Sequence, residues 1–477
     1  MWLAFWLACA KSSTIQGIDS VLLIEQEQQF WQSNPDWFGR VLLPNEQVLE
    51  HAVHFAIEDG RLIASMDIPT QNAMGLPLSD VVVTPNTLSF VLKPSKAPKI
   101  AWAYYQFERL SDTEWQGTLT QMKQTFPADL KVGEVKSLVR PQTPTPPFPY
   151  FTKDVVILLT ENDVELAGTV VMPGDDFIKP ESGWPAVVFI TGSGPQDRDE
   201  TIFEHKPFAV LADHLAKNGV ASIRVDDRGV GGSTGARPDL TTLDFASDIA
   251  QVVKFLGAMP EVDASKVGLI GHSEGGLIAA IVGAQHDVAF IVSMAGTGVN
   301  GLEVLIEQNL DIMGISDSEL RSQFKKDYTK AMVSVANSPE ESVGVDGVLR
   351  LQTSQSKQKM TSEIQEAGLN QFQEMKSNAW FQTFVTIEPS DYWSKVSAPI
   401  LILNGGKDVQ VSAVINTNAI QGALPESTES KLVIIDGANH LFQTSQTGQI
   451  SEYAGIEQTI DPAVLMVISD WIRQQSL

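Results

Sequence analysis

The sequence predicts an α/β protein: a mostly parallel sheet flanked by helices and carrying a helical insertion, preceded by a small antiparallel β domain. Three observations carry that expectation. Short, wholly apolar runs recur after residue 150, as strands buried on both faces of a parallel sheet require. Segments with helical periodicity separate them; in 243–256, Ala246, Ile249, Val252, Val253 and Leu256 fall on one face. A stretch with five prolines, 141–149, divides this texture from an earlier one of short strands and turns, and such composition favours an extended connector.

Residues 1–10 are apolar and are followed by Lys11-Ser12-Ser13. A bilayer span needs about 20 apolar residues, so this run is too short to cross one. Ala8-Cys9-Ala10 has the small-x-small form of a processing site, and Leu7-Ala8-Cys9 faintly resembles a lipid-attachment site. Export, periplasmic or secreted, is the expectation, with membrane association only through a lipidated Cys9. An ordinary N-terminus of a cytoplasmic protein is the alternative.

Residues 11–140 read as the β-rich domain, with strands at 48–57, 61–68, 80–83, 88–92 and 100–107 separated by turns such as Glu58-Asp59-Gly60. Its histidines, His51 and His54, have no acidic or cysteine partner at metal-binding spacing, so strand or surface roles are expected for them. In the second part, 150–477, a hairpin at 155–160 and 164–172 precedes strands at 186–190, 221–225, 267–270, 289–294, 400–403 and 432–435. The stretch 299–395 is rich in Gln, Ser, Lys and Glu and reads as a helical insertion that leaves the sheet and returns. Insertions of that length are usually lids or binding elements.

The chain has 477 residues with 33 Lys+Arg against 58 Asp+Glu, a net charge of −25. Such an excess repels a phosphate backbone, and no Lys/Arg-rich run offsets it, so nucleic-acid binding is disfavoured. The single cysteine, Cys9, excludes intramolecular disulfides, cysteine-ligated metal sites and a cysteine nucleophile in any folded domain. Neither a metal nor a cofactor is expected.

Two pentapeptides match the Gly-x-Ser-x-Gly nucleophile pattern, Gly271 to Gly275 and Gly231 to Gly235. A chain of this length offers roughly a one-in-six chance match, so context decides. The chemistry needs a serine on a sharp turn from strand to helix, with the next backbone N–H at the helix start. Ser273 has an apolar strand before it and an apolar helical segment after it. Ser233 sits in a glycine-rich loop with Pro238 close behind.

A serine hydroxyl needs a base, and the base needs a carboxylate to orient it, in the chain order Ser, acid, His. Of seven histidines only His286 and His440 follow Ser273, and almost no chain separates His286 from it, which leaves His440. Asp408 emerges from the C-terminal end of the strand at 400–403, where α/β active sites are built. Asp436 is too close in sequence to His440, and Asp391 lies at the wrong end of its strand. The oxyanion donors expected are the backbone N–H groups of Glu274 and of Ser193, the latter in the loop Thr191-Gly192-Ser193-Gly194.

The motifs at 192–200 (GSGPQDRDE), 226–233 (DDRGVGGS), 271–276 (GHSEGG) and 405–411 (GGKDVQV), with His440, resemble the α/β-hydrolase superfamily. More narrowly, they are similar to bacterial serine esterases with an N-terminal β domain. The resemblance covers 150–477 firmly and the N-terminal part loosely. It implies a Ser273–Asp408–His440 triad, Ser193 and Glu274 as oxyanion donors, and 299–395 as a cap over the acyl site. It further implies hydrolysis of short- to medium-chain acyl esters through an acyl-enzyme on Ser273, with a serine aminopeptidase or acyl-peptidase as the alternative. Thr191 stands where such enzymes often have His, and Glu388-Pro389 where Asp-Pro is expected; both bear on the pocket wall. Trp380, Phe381, Phe384, Tyr392 and Trp393 are candidates to line it, although aromatics at helical spacing more often simply pack.

Overall fold

The computed structural model describes residues 25–43, 48–93, 99–121, 123–133, 138–159, 163–236, 239–335, 338–355 and 359–476. Residues 1–10, with Cys9, lie outside them. The chain divides into two units, 1–139 and 140–477.

In the first unit, α1 (Glu25–Ser33) leads into eight antiparallel strands: β1 (Asp36–Leu42), β2 (Val48–Glu58), β3 (Arg61–Ile68), β4 (Ala73–Val83), β5 (Thr87–Leu92), β6 (Ala103–Ser111), β7 (Glu114–Gln121) and β8 (Gln124–Val132). Each pairs with the next, and β1 pairs back onto β8, so the sheet closes into a barrel. Alternate residues such as Leu88, Phe90, Leu92 and Tyr105, Phe107 point inward, and an eight-stranded interior is just wide enough for them to fill. Trp31 of α1 packs its ring 4.5 Å from Phe55 and 5.7 Å from Trp37.

Three of these strands, β1, β7 and β8, are not legible in the sequence, because Gly39, Gly117 and Pro127 weaken their signal. Two of those residues are needed where they stand. A Cβ on Gly39 would lie 2.2 Å from His51 Nε2, and one on Gly117 would lie 1.8 Å from the Gln106 carbonyl oxygen. His51 is buried inside the barrel, and that burial pushes its pKa down to about 4. His54 instead pairs with Asp36 (2.7 Å) and Asp67 (3.0 Å). Among the described residues no group of His, Cys, Asp and Glu could hold a metal ion.

The second unit begins with the proline segment, which is fastened to it. The Arg140 guanidinium donates to the carbonyls of Phe203, Ala454 and Ile456, and Gln142 bonds the backbone of Thr459 and Ile460. The chain then forms β9 (Phe151–Leu159), β10 (Val164–Met172), β11 (Trp184–Ile190), α2 (Pro207–Ala216), β12 (Ala221–Val225), α3 (Thr242–Gly257), β13 (Val262–His272), α4 (Glu274–Gln285) and β14 (Ile291–Met294). The insertion follows as α5 (Gly301–Ile312), α6 (Ser318–Val333), α7 (Pro339–Gln355), α8 (Ser362–Ser377), α9 (Ala379–Thr386) and α10 (Ser390–Trp393). The chain returns to the sheet with β15 (Ile400–Gly405), α11 (Ala413–Ala423), β16 (Ser430–Ile435) and α12 (Pro462–Ser476).

The sheet order is β16-β15-β14-β13-β11-β12-β10-β9. Strands β11 to β16 run parallel, and the β9–β10 hairpin adds the antiparallel edge. This is the α/β architecture expected from the alternating pattern. Apolar faces of α3, α4 and α11 cover one side of the sheet, with Ile249, Val252, Ile278 and Ile420 buried; α2 and α12 cover the other, with Phe208, Leu211, Ile468 and Trp471. From β11 the chain passes to β12 on one side and β13 lies on the other. The C-terminal ends of β11 and β13 therefore flank a topological switch point, where a crevice is expected.

Candidate active site

Ser273 sits between the last residue of β13 and the first of α4, at φ 55° and ψ −120°. A non-glycine residue adopts such a backbone only where its surroundings over-determine it. The surroundings here are backbone: a Cβ on Gly271 would lie 2.0 Å from the Gly275 carbonyl oxygen, and one on Gly275 would lie 2.3 Å from the Ile190 carbonyl oxygen. The Ser273 N–H donates to the Met294 carbonyl at 2.9 Å, which anchors the turn to the neighbouring strand.

Asp408 and His440 meet because the turns after β15 and β16 approach one another closely. A Cβ on Gly405 would lie 2.4 Å from the Ala438 carbonyl oxygen, and one on Gly406 would lie 2.8 Å from Asp436 Cα. Asp408 Oδ1 accepts the N–H groups of Gln410 (2.8 Å) and Val411 (2.9 Å), which leaves Oδ2 to face His440 Nδ1 at 2.8 Å. Both residues are buried. An ionised carboxylate at Nδ1 favours the tautomer in which Nε2 is the free acceptor. Ser273 Oγ makes no hydrogen bond among the described residues. Nucleophile–base contacts are commonly long until substrate binds.

The loop after β11 is held by charge. Arg198 donates from its backbone N–H and guanidinium to Asp226, and Asp227 accepts from Thr191 Oγ1 and the Gln196 N–H, each at 3.0 Å. Burial opposes ionisation of Asp226, but Arg198 and the Gly232 N–H outweigh it and hold the carboxyl below its ordinary range. The motifs at 192–200 and 226–233 thus lock each other in place. Within the loop the Gly192 N–H is already committed to Glu200 Oε1 at 2.7 Å. Thr191, the departure from the usual His, serves this lock; Glu388 accepts from Asn300 Nδ2 at 3.0 Å.

The side chains of the two expected oxyanion residues touch. Ser193 Oγ donates to Glu274 Oε2 at 2.7 Å. The buried Glu274 carboxyl also accepts from Thr242 Oγ1 at 2.7 Å and from Trp380 Nε1 at 2.8 Å, so it joins the loop after β11, the start of α3 and helix α9 of the insertion. Burial raises its pKa, an effect only partly offset by these donors. The Glu274 N–H, at the first position of α4, has no preceding helical carbonyl to receive it. Trp380 stacks on Phe384 at 5.3 Å, while Phe381, Phe384 and Trp393 are buried as packing residues.

A family model described as the alpha/beta hydrolase fold matches residues 185–445. The chain belongs to the alpha/beta hydrolase fold family. Esterase EstD of Thermotoga maritima is 24% identical to this α/β hydrolase over 317 residues, spanning 65% of this chain and 67% of EstD. Among solved structures, Est1E from Butyrivibrio proteoclasticus is similar at 17% identity and a TM-score of 0.40, covering 68% of this hydrolase and 98% of Est1E. The Pyrococcus furiosus esterase Pf2001 is similar at 15% identity and 0.41, covering 72% and 99%.

Glu200, His272 and Thr242 complete the surroundings of the candidate site and were not legible as site residues, whereas Trp380, a candidate for the pocket wall, donates to Glu274. Glu200 and His272 lie within the quoted motifs, but nothing in their spacing says that they meet. Thr242 is brought in by packing alone.

Proposed function

We propose that the protein is a serine carboxylesterase acting on short- to medium-chain acyl esters. The observation that carries this reading is the buried Asp408–His440 pair in the chain order of the family, together with the strained Ser273 elbow. The similarity to EstD, an esterase by name, supports it. In the proposed reaction His440 Nε2 takes the Ser273 Oγ proton as Oγ attacks the ester carbonyl. The N–H groups of Ser193 and Glu274 stabilise the oxyanion. Collapse breaks the carbonyl–alkoxy bond, and the leaving alcohol receives the proton from His440. Water, deprotonated by His440, then attacks the acyl carbonyl, and His440 returns that proton to Ser273 Oγ as the acyl–Oγ bond breaks and the acid leaves.

Turnover of p-nitrophenyl acetate and butyrate, with covalent labelling of Ser273 by a fluorophosphonate, is the expected result. Clear turnover of amino-acyl p-nitroanilides without ester preference would instead establish the peptidase reading. Labelling absent from an intact, folded protein would return the fold to a binding role. Export is part of the same proposal. Mass spectrometry of the protein isolated from cell fractions should find it outside the cytoplasm, either cut near Ala10 or lipidated on Cys9.

A further inference from the structure

We propose that Glu200 and His272 form a buried carboxylate–imidazolium pair that positions the base His440 and the loop carrying Ser193. This rests on the triad reading above. His272 Nε2 lies 3.0 Å from the His440 carbonyl oxygen, which can only accept, so Nε2 carries a proton. The other ring nitrogen, Nδ1, lies 2.9 Å from Glu200 Oε1, which already accepts the Gly192 N–H at 2.7 Å. With an acceptor on each side the ring donates twice, and is therefore a cation. Side-chain exposure of 8% for His272 and 5% for Glu200 leaves water little part in the arrangement.

The pair ties together three segments: the loop after β11 through Gly192, the end of β13 through His272, and the loop after β16 through the His440 carbonyl. Glu200 is held in the left-handed region at φ 53°, with its N–H donating to the Asp197 carbonyl. The His272 ring lies 4.7 Å from the His440 ring, so its charge acts directly on the base. Burial opposes protonation of His272, yet the Glu200 charge, its hydrogen bond and the His440 carbonyl hold the pKa above the ordinary value.

The charged and titratable groups around the base are few. Asp408 meets His440 at Nδ1, and the His272 ring beside it meets Glu200 through its other nitrogen. The Tyr453 phenol, near Asp408, is pushed up by burial and stays neutral. Phe442, 6.4 Å from His272, adds no charge.

Two measurements test this. Glu200→Gln neutralises the pair, and His272→Gln leaves Glu200 as a lone anion. Either should lower kcat roughly tenfold with KM nearly unchanged. No loss of kcat, or a loss accompanied by an equal rise in KM, would overturn the proposal. Nitrogen NMR of the 15N-histidine-labelled wild-type protein should show, besides His54 between Asp36 and Asp67, a second histidine with both ring nitrogens protonated at pH 7, and that second signal should be absent from His272→Gln. A neutral His272 there would overturn it too. The NMR arm needs no turnover, so failure of the esterase reading leaves it standing as a separate result.

Discussion

Two identical patterns, Gly231-Gly232-Ser233-Thr234-Gly235 and Gly271-His272-Ser273-Glu274-Gly275, lie 40 residues apart and have opposite fates. Ser233 Oγ donates to the Asp226 carbonyl at 2.8 Å and accepts the Ala167 N–H at 2.9 Å, and the residue is buried. The next N–H, of Thr234, donates to the Glu165 carbonyl at 2.8 Å. No hydroxyl and no oxyanion donor is left over. At the second pattern the turn joins strand to helix, so Ser273 Oγ is not consumed in this way and the following N–H stands at a helix start. On the proposed reading, a nucleophile motif is defined by which hydrogen bonds its backbone and hydroxyl are spared, and the flanking elements decide that.

The sharpest way to break this comparison is Ser273→Ala. The elbow is held by glycines and backbone bonds, so the fold should survive while ester turnover falls by roughly 10⁴-fold or more. Retained turnover would end the assignment. Asp408→Asn should follow with a loss of roughly 10³ to 10⁴-fold in kcat. The Asn amide nitrogen, turned toward Nδ1, would favour the wrong His440 tautomer. A loss below tenfold would move the acid to another carboxylate. Both losses are read from steady-state kinetics on p-nitrophenyl butyrate, with circular dichroism to show that the fold is kept.

The α/β sheet was legible because parallel strands buried on both faces are written as bare apolar runs, such as Ile400-Leu401-Ile402-Leu403. The barrel was half legible, because strands wet on one face dilute their pattern with Thr and Gln, and because Gly39 and Gly117 are set by close approaches that no local pattern reveals. For the candidate site, Ser273, Asp408 and His440 were proposed from chain order and strand ends, and the structure brings Asp408 and His440 together. The Glu200–His272 contact joins positions 72 residues apart, and the Trp380 contact to Glu274 spans 106; such pairings belong to the tertiary fold.

Ser233→Ala probes the other half of the comparison. It removes a buried hydroxyl and leaves the Ala167 N–H and Asp226 carbonyl unpaired, a loss of about 1–3 kcal/mol. Calorimetry should show a lower melting transition for the second unit, while kcat/KM of the folded enzyme stays within about threefold of wild type. A kcat loss approaching that of Ser273→Ala, in folded protein, would mean that context had been misread.

The smallest and most diagnostic effect concerns the residues that follow the two serines. Thr234 is neutral and spends its hydroxyl on the Glu165 N–H, whereas Glu274 buries a carboxyl among the neutral donors Ser193, Thr242 and Trp380. Folding raises its pKa above the ordinary 4.5, so folding favours the protonated form. The stability this group contributes is therefore complete below pH 4.5 and is lost as pH rises through the folded-state value. Glu274→Gln keeps an acceptor for Thr242 and Trp380 and offers its NH₂ to Ser193 Oγ, but it carries no charge. At pH 7–8 it should raise the melting temperature by roughly 1–3 °C, with the gain fading toward pH 4, and should change kcat less than tenfold. A lower melting temperature at neutral pH would show that the ionised carboxylate is stabilised by its three donors, and a gain independent of pH would mean that the carboxyl charge is not its source.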